Sequence, residues 1–180
     1  MNQHKIYFIS GVSGVGKTST LEQLKKILPQ STFDVRDFDE RGVPDGGGPK
    51  WHNEETRHWL DVALVNAASN KSTVISGFTN PERFIKIHNP GMDIPAQLIL
   101  LDVSADTLRK RLYGRHTTSE SRKEIERAAG VSLDNFVEQC ATFAPKLRSI
   151  FEEYKYPIVL TDNKTPEEVA RDVVNLIRVK

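Results

Sequence analysis

The chain has one cysteine, no long apolar run and no excess of either charge in its 180 residues. Cys140 alone excludes an internal disulfide and a cysteine-built zinc cluster, and it fits a reducing compartment. The five histidines show no H-x-x-x-H spacing, which removes a helix-borne zinc site. No apolar run approaches the ~18 residues of a membrane span. Met1-Asn2-Gln3-His4-Lys5 leads into an apolar segment too short for a signal-peptide core. Lys plus Arg number 25 and Asp plus Glu 24, a net charge of +1. A dedicated nucleic-acid binder carries a basic excess, because phosphate neutralisation supplies most of its affinity. Nucleic acid is therefore not the expected partner. Hydrophobic residues make up 38% and charged residues 27%, enough for a real core and too apolar for disorder. A soluble, cytoplasmic, single domain over 1–180 is the expectation, since two halves would fall near the lower size limit.

Five short apolar segments alternate with helical patterns. Lys5–Ser10, Thr32–Arg36, Ser72–Ser76, Ala96–Val103 and Pro157–Leu160 read as strands, the first apolar on successive positions as in a strand covered on both faces. Leu21, Leu24, Ile27 and Leu28 share a helical face that ends at Pro29. A turn-rich stretch runs from Gly42 to Pro49 and contains Gly46-Gly47-Gly48. A helix over about Asn53–Ser69 places Trp59 and Ala63 inward. A helix with Leu108 and Leu112 ends near Gly114. Ser132 caps a helix that Pro145 breaks or kinks, and Cys140 lies on its apolar face as core. Thr165-Pro166-Glu167-Glu168 opens the last helix with a cap, an N1 proline and a capping-box glutamate. Alternating strands and helices imply an α/β fold with parallel pairing and right-handed crossovers.

Gly11-Val12-Ser13-Gly14-Val15-Gly16-Lys17-Thr18 matches G-x-x-x-x-G-K-[ST] at every fixed position, between a strand and a helix. Glycines let the backbone curl so that several N–H groups meet one phosphate, and the helix start adds its positive end. Lys17 is expected to reach the β- and γ-phosphates and the Thr18 hydroxyl to hold Mg²⁺, with Ser19 beside them. The bland reading, a glycine turn with a chance lysine, fails on the strand–helix context. Binding of a nucleoside triphosphate follows.

Further residues resemble the small kinases related to shikimate kinase, gluconate kinase and adenylate kinase, over nearly the whole chain. The segment Ile9–Gly14 reads like the gluconate kinase loop. Asp37-Phe38-Asp39 resembles the Asp-x-Asp of shikimate kinase. Arg111-Leu112-Tyr113-Gly114-Arg115 matches the R-[LI]-x-x-R of adenylate kinase-like lids, and Asn163-Lys164-Thr165-Pro166 the loop that lines adenine. The resemblance implies a three-layer, AAA-like P-loop fold whose five-stranded parallel sheet has the order 2-3-1-4-5. It implies ATP and Mg²⁺ as cofactors and a small-molecule acceptor. Asp37 would help hold Mg²⁺, Asp39 would meet the acceptor hydroxyl as base, Arg111 would lie over adenine and Arg115 would meet phosphate. Gly77 would sit at the acceptor pocket, and Arg57 would face an acceptor anion. Ile75-Ser76-Gly77 departs from adenylate kinases by lacking an aspartate, and the acceptor side, about 37–59, matches no pocket of the group.

The chemistry agrees, because phosphoryl transfer needs mainly positioning and positive charge. Lys17, Arg115 and Arg122 supply charge, and Asp39 takes the proton late. Trp51, beside the glycine turn, is a candidate pocket wall, whereas Trp59 is core. The polar segment of about 114–127 is an expected lid hinged at Gly114. The leading expectation is an ATP-dependent kinase of a sugar, polyol or similar metabolite; a nucleoside or nucleoside-monophosphate kinase is the alternative. A GTPase switch is disfavoured because Pro166 replaces the guanine-reading aspartate of N-K-x-D. A polynucleotide end kinase is disfavoured by charge. A non-catalytic sensor is disfavoured by the intact Lys17, Thr18, Asp37 and lid arginines.

Overall fold

The computed structural model describes residues 4–44, 47–88 and 94–178. Met1–Gln3 of the N-terminal lead and Gly46 of the glycine run lie outside them. Strands β1 (Ile6–Ser10), β2 (Phe33–Asp37), β3 (Ser72–Ser76), β4 (Ala96–Asp102) and β5 (Ile158–Leu160) form one sheet, ordered β2-β3-β1-β4-β5 and parallel throughout. The expected α/β three-layer fold and strand order are both present. Central β1 is buried at every position, which is why its sequence does not alternate. Around the sheet run α1 (Lys17–Ile27), α2 (Pro49–Ala68), α3 (Pro81–Ile87), α4 (Ala105–Arg115), α5 (Ser119–Ala129), α6 (Leu133–Glu153) and α7 (Pro166–Arg178). None of the described helices is long and apolar enough to cross a membrane.

Several elements differ from the sequence reading. Helix α2 starts at Pro49, four residues early, because proline suits the first helical position and Gly48 serves as its cap. Helix α3 was not anticipated, although Asn80 caps it by accepting from the Glu82 and Arg83 N–H groups, with Pro81 following. Pro145 does not break α6, which runs unbroken from 133 to 153 and buries Ala144, Leu147 and Phe151 around it. Burial on both sides of the proline outweighs the one lost backbone bond. The polar stretch expected as a lid is mostly helix α5, which has no buried residue and packs on α6. Gly114 falls inside the last turn of α4 rather than between elements.

The carboxyl ends of the strands carry the loops that matter below. Two contacts fix the central ones. Buried Asp102, the last residue of β4, is paired by Arg148 of α6. Gly77, just beyond β3, lets Phe38 pass directly over it, since a Cβ there would lie 2.1 Å from the Phe38 Cβ. Phe38 is wholly buried, and its carbonyl accepts the Trp59 indole N–H at 3.2 Å. Gly77→Ala is expected to cost about 1–3 kcal/mol by overpacking. Urea unfolding at unchanged m-value measures it, and wild-type stability would contradict the close approach.

Candidate active site

The segment Gly11–Thr18 curls between β1 and α1. Gly11 approaches β4 so closely that a Cβ would lie 2.6 Å from the Leu101 carbonyl oxygen. Gly16, in left-handed backbone, precedes α1, which has no side-chain cap and no acid in its first turn. The first helical bond runs from Thr20 N–H to Gly16 O at 3.0 Å, so the Lys17, Thr18 and Ser19 amides have no helical partner. Helices α3 to α7 are each capped by a side chain and each carry an acid in the first turn. The start of α1 alone combines bare amides with the glycine-rich curl and a lysine, which suits an anion.

Lys17 folds back over this loop and donates to the carbonyls of Gly11 (2.8 Å) and Val12 (3.0 Å). Burial pushes its ammonium pKa down to about 8, against the pull of Asp39 and Asp37. A cavity of about 620 Å³ opens beside it, lined by residues 13–20 together with Asp39, Arg111, Arg115, Thr161, Lys164 and Pro166. Among the described residues no hydrogen bond occupies the exposed Thr18 hydroxyl.

Arg111 is more than a cavity wall. Its guanidinium donates to Val15 O (3.2 Å), Thr161 Oγ1 (2.9 Å) and Thr161 O (2.8 Å), and the Thr161 hydroxyl donates to Val15 O (3.1 Å). The head expected over adenine thus clasps the phosphate loop to the end of β5. Arg115 lines the cavity, but Arg122 turns away and donates to the His116 carbonyl at 3.0 Å. Lys164 lines the cavity and pairs with Asp172 at 2.7 Å. Asn163 takes left-handed backbone, and Thr165 exchanges hydrogen bonds with Glu168 as the cap of α7; neither lines the cavity.

Asp37 and Asp39 do different things despite lying two apart. Asp37 Oδ1 accepts the Asp39 N–H at 2.9 Å and shapes the turn. Asp39 lines both the 620 Å³ cavity and a second one of about 490 Å³. Its carboxyl is held above the usual range, first by burial and then by Asp37, with Lys17 opposing. For a metal, Thr18, Asp37 and Asp39 offer oxygen donors, which suit Mg²⁺. No cluster of three or more His, Cys, Asp or Glu able to hold a metal exists among the described residues, so phosphate oxygens would complete its shell.

The second cavity also touches Gly11, Val12, Ser13 and Lys17, and Trp51 is part of its wall. Three expectations need correction here. Cys140 is not core alone: it is half-buried, packing against the core on one side and lining this cavity on the other, because α6 turns that edge to the cleft. Arg57 is exposed and lines neither cavity, since it follows the inward Glu55 and Thr56 round α2. Gly77 is excluded from the wall by Phe38, so its glycine is a packing requirement. His52, Phe78, Phe136 and Phe143 also line it and are not among the site residues expected from the sequence.

A family model for the AAA domain matches residues 8–131, and the chain belongs to that family. No curated protein matches the sequence significantly. Among solved structures it is similar to an APS kinase from Mycobacterium tuberculosis in complex with AMPPNP and APS, at 17% identity and TM-score 0.64, covering 98% of this chain and 99% of that one. It is also similar to a shikimate kinase from Bacteroides thetaiotaomicron, at 20% identity, TM-score 0.60 and coverage of 97% and 99%. A shikimate kinase from Acinetobacter baumannii in complex with shikimate aligns at 15% identity and TM-score 0.59, covering 99% and 97%. At these identities the likeness is one of fold.

Two outcomes test this geometry. Arg111→Met is expected to release the loop and weaken AMPPNP binding by about tenfold or more, with the bulk fold kept by circular dichroism. The Lys17 pKa of about 8 implies that nucleotide affinity falls as pH rises through that value, because binding must then take up a proton. Below it the lysine is already charged and the affinity is flat. Calorimetry in buffers of different ionisation heat reads the proton uptake, and Lys17→Met should abolish it.

Proposed function

We propose that the protein is an ATP-dependent kinase that transfers the γ-phosphoryl group to a hydroxyl of a small molecule, with Mg²⁺; sugars and polyols are the class expected from the sequence, and the second cavity narrows that choice. The observation that carries this reading is the position of Asp39 and Lys17, which line both the phosphate-loop cavity and the adjoining one. A donor in the first and an acceptor in the second would meet at these two side chains. The α1 amides and Lys17 would hold the phosphates, with Arg115 adding charge from α4. Bound Mg²⁺ would offset phosphate charge between Thr18 and Asp37. Asp39 would orient the acceptor hydroxyl and accept its proton while the oxygen bonds to the γ-phosphorus and the bond to the β-phosphate oxygen breaks, leaving ADP.

The purine pocket would be formed by Lys164, Pro166 and the stem of Arg111, while Asn163 and Thr165 would shape its loop. Pro166 in the wall favours adenine over guanine, since it offers no carboxylate to guanine's amino groups. The reading treats 1–180 as one catalytic unit with a lid at about 114–127, working in the cytoplasm. Closure of α5 would bring Arg122 inward and exclude water. The alternative, a nucleoside or nucleoside-monophosphate kinase, shares all of this up to the acceptor.

Single-turnover assays on two variants test the roles. Asp39→Asn is expected to keep ATP affinity and lower the chemical step by about 10²–10⁴-fold. Asp37→Asn is expected to raise the magnesium requirement with any acceptor. If both variants lost stability and kept their specific activity, the carboxylates would be turn formers only. Competition between ATP and GTP for one site is a separate check, and a clear GTP preference would sink the adenine assignment.

A further inference from the structure

Much of the second cavity's wall is aromatic. The rings of Trp51, His52, Phe78 and Phe143 form a continuous row, with successive centroids 4.9, 5.7 and 6.0 Å apart. Phe136 and Cys140 of α6 add further apolar surface. Among the described residues, Lys17 is the one lysine or arginine that lines it, and Asp39 offsets that charge. Arg83 lines a separate narrow crevice behind His52 and Phe78, and Arg41 pairs with Glu55. Burial and then Arg83 lower the His52 pKa, which disfavours its charged form.

We propose that the acceptor is an uncharged alcohol carrying a flat aromatic ring, bound between α2 and α6 with its hydroxyl toward Asp39. The inference rests on the kinase reading for the word acceptor, but the chemistry of the cavity stands independently. A carboxylate or phosphate on the ligand would lose its water and find no partner beyond the Lys17 that the donor phosphates need. The bare start of α2 at Gly48 adds a weak positive end near the rim, worth about two- to fivefold, which does not replace a paired cation. A polyol fits poorly for the opposite reason. Away from Lys17 and Asp39, the wall's polar side-chain groups are those of Ser13, His52, Gln139 and the Trp51 indole N–H, too few to pair every hydroxyl of a polyol. A flat ring instead stacks on, or meets edge-on, the row of aromatics.

Matched probes test this on the full chain by ligand-observed saturation-transfer NMR titration, with and without AMPPNP and Mg²⁺. The pairs are 4-(hydroxymethyl)benzamide against 4-(hydroxymethyl)benzoate, and uridine against uridine 5′-monophosphate, with ribitol as the ring-free control. Each neutral ring is expected to bind about tenfold or more tighter than its anionic partner and than ribitol. Phe143→Ala should weaken the neutral probes several-fold. Gln139→Arg, at an exposed position of the wall, should narrow or reverse the preference against the anions. Anions bound as tightly as their neutral partners, ribitol bound equally, or no transfer to either neutral ring would overturn the proposal. Failure of AMPPNP to bind would instead sink the kinase reading, and the nucleotide-free titrations would still decide the chemistry of the cavity.

Discussion

The structure depends on keeping three backbone amides unpaired at the start of α1. A helix end without a side-chain cap is a cost that α3 to α7 avoid, each placing an asparagine, serine or threonine there. At α1 that cost is held from outside. Arg111 and Thr161 grip the Val15 carbonyl, Lys17 grips those of Gly11 and Val12, and the Gly11 backbone rests against Leu101. Elements far apart in the chain are therefore committed to one loop. Arg111 serves as the tie because its planar fork donates to several oxygens at once; a lysine would not reproduce that geometry.

The same economy sets the charges. Burial lowers the Lys17 pKa and raises that of Asp39, so one environment moves the acid and the base toward each other. Their mutual attraction opposes both shifts without cancelling them. A phosphate arriving beside Lys17 would restore its charge and compete with Asp39 for it. Asp39 would then be freer to face the second cavity. The coupling needs no large motion, since both side chains already line both spaces.

The donor half of this arrangement was legible in the sequence, because it depends on local spacing. Gly11 to Thr18 is eight consecutive residues, and the β1–loop–α1 context is read from short-range periodicity. The strand order followed from the resemblance together with parallel pairing. The remaining features rest on contacts that spacing does not carry. Nothing near Arg111 in sequence announces Thr161, fifty positions away, as its partner. Cys140 and Phe143 show the helical periodicity of core residues, and a cleft wall gives that same signal. Arg57 was assigned by position on α2, but two residues along a helix turn the side chain by about 200°, so the inward Trp59 and the outward Arg57 go together. Helix α3, at seven residues, is too short for a periodic pattern, and only its Asn80-Pro81 start was available.

This division has a physical basis. The phosphate-binding half is backbone, fixed by the parallel sheet and by the carboxyl end of β1, and a fold shared at 15–20% identity carries it intact. The second cavity, the proposed acceptor half, is walled mostly by side chains from α2, α6 and the turn after β3, where any residue of suitable size preserves the fold. Solved structures of this shape include proteins bound to shikimate and to APS, so the frame by itself does not select an acceptor. On the proposed reading, the selecting surface in this chain would be the row of rings in the second cavity. Such a wall excludes water from Lys17 and Asp39 when a ring covers it. Exclusion of water strengthens their electrostatics and denies the γ-phosphate an alternative nucleophile. An apolar wall would thus serve chemistry and recognition together, because the ligand that fills it also dries the place where the hydroxyl must react.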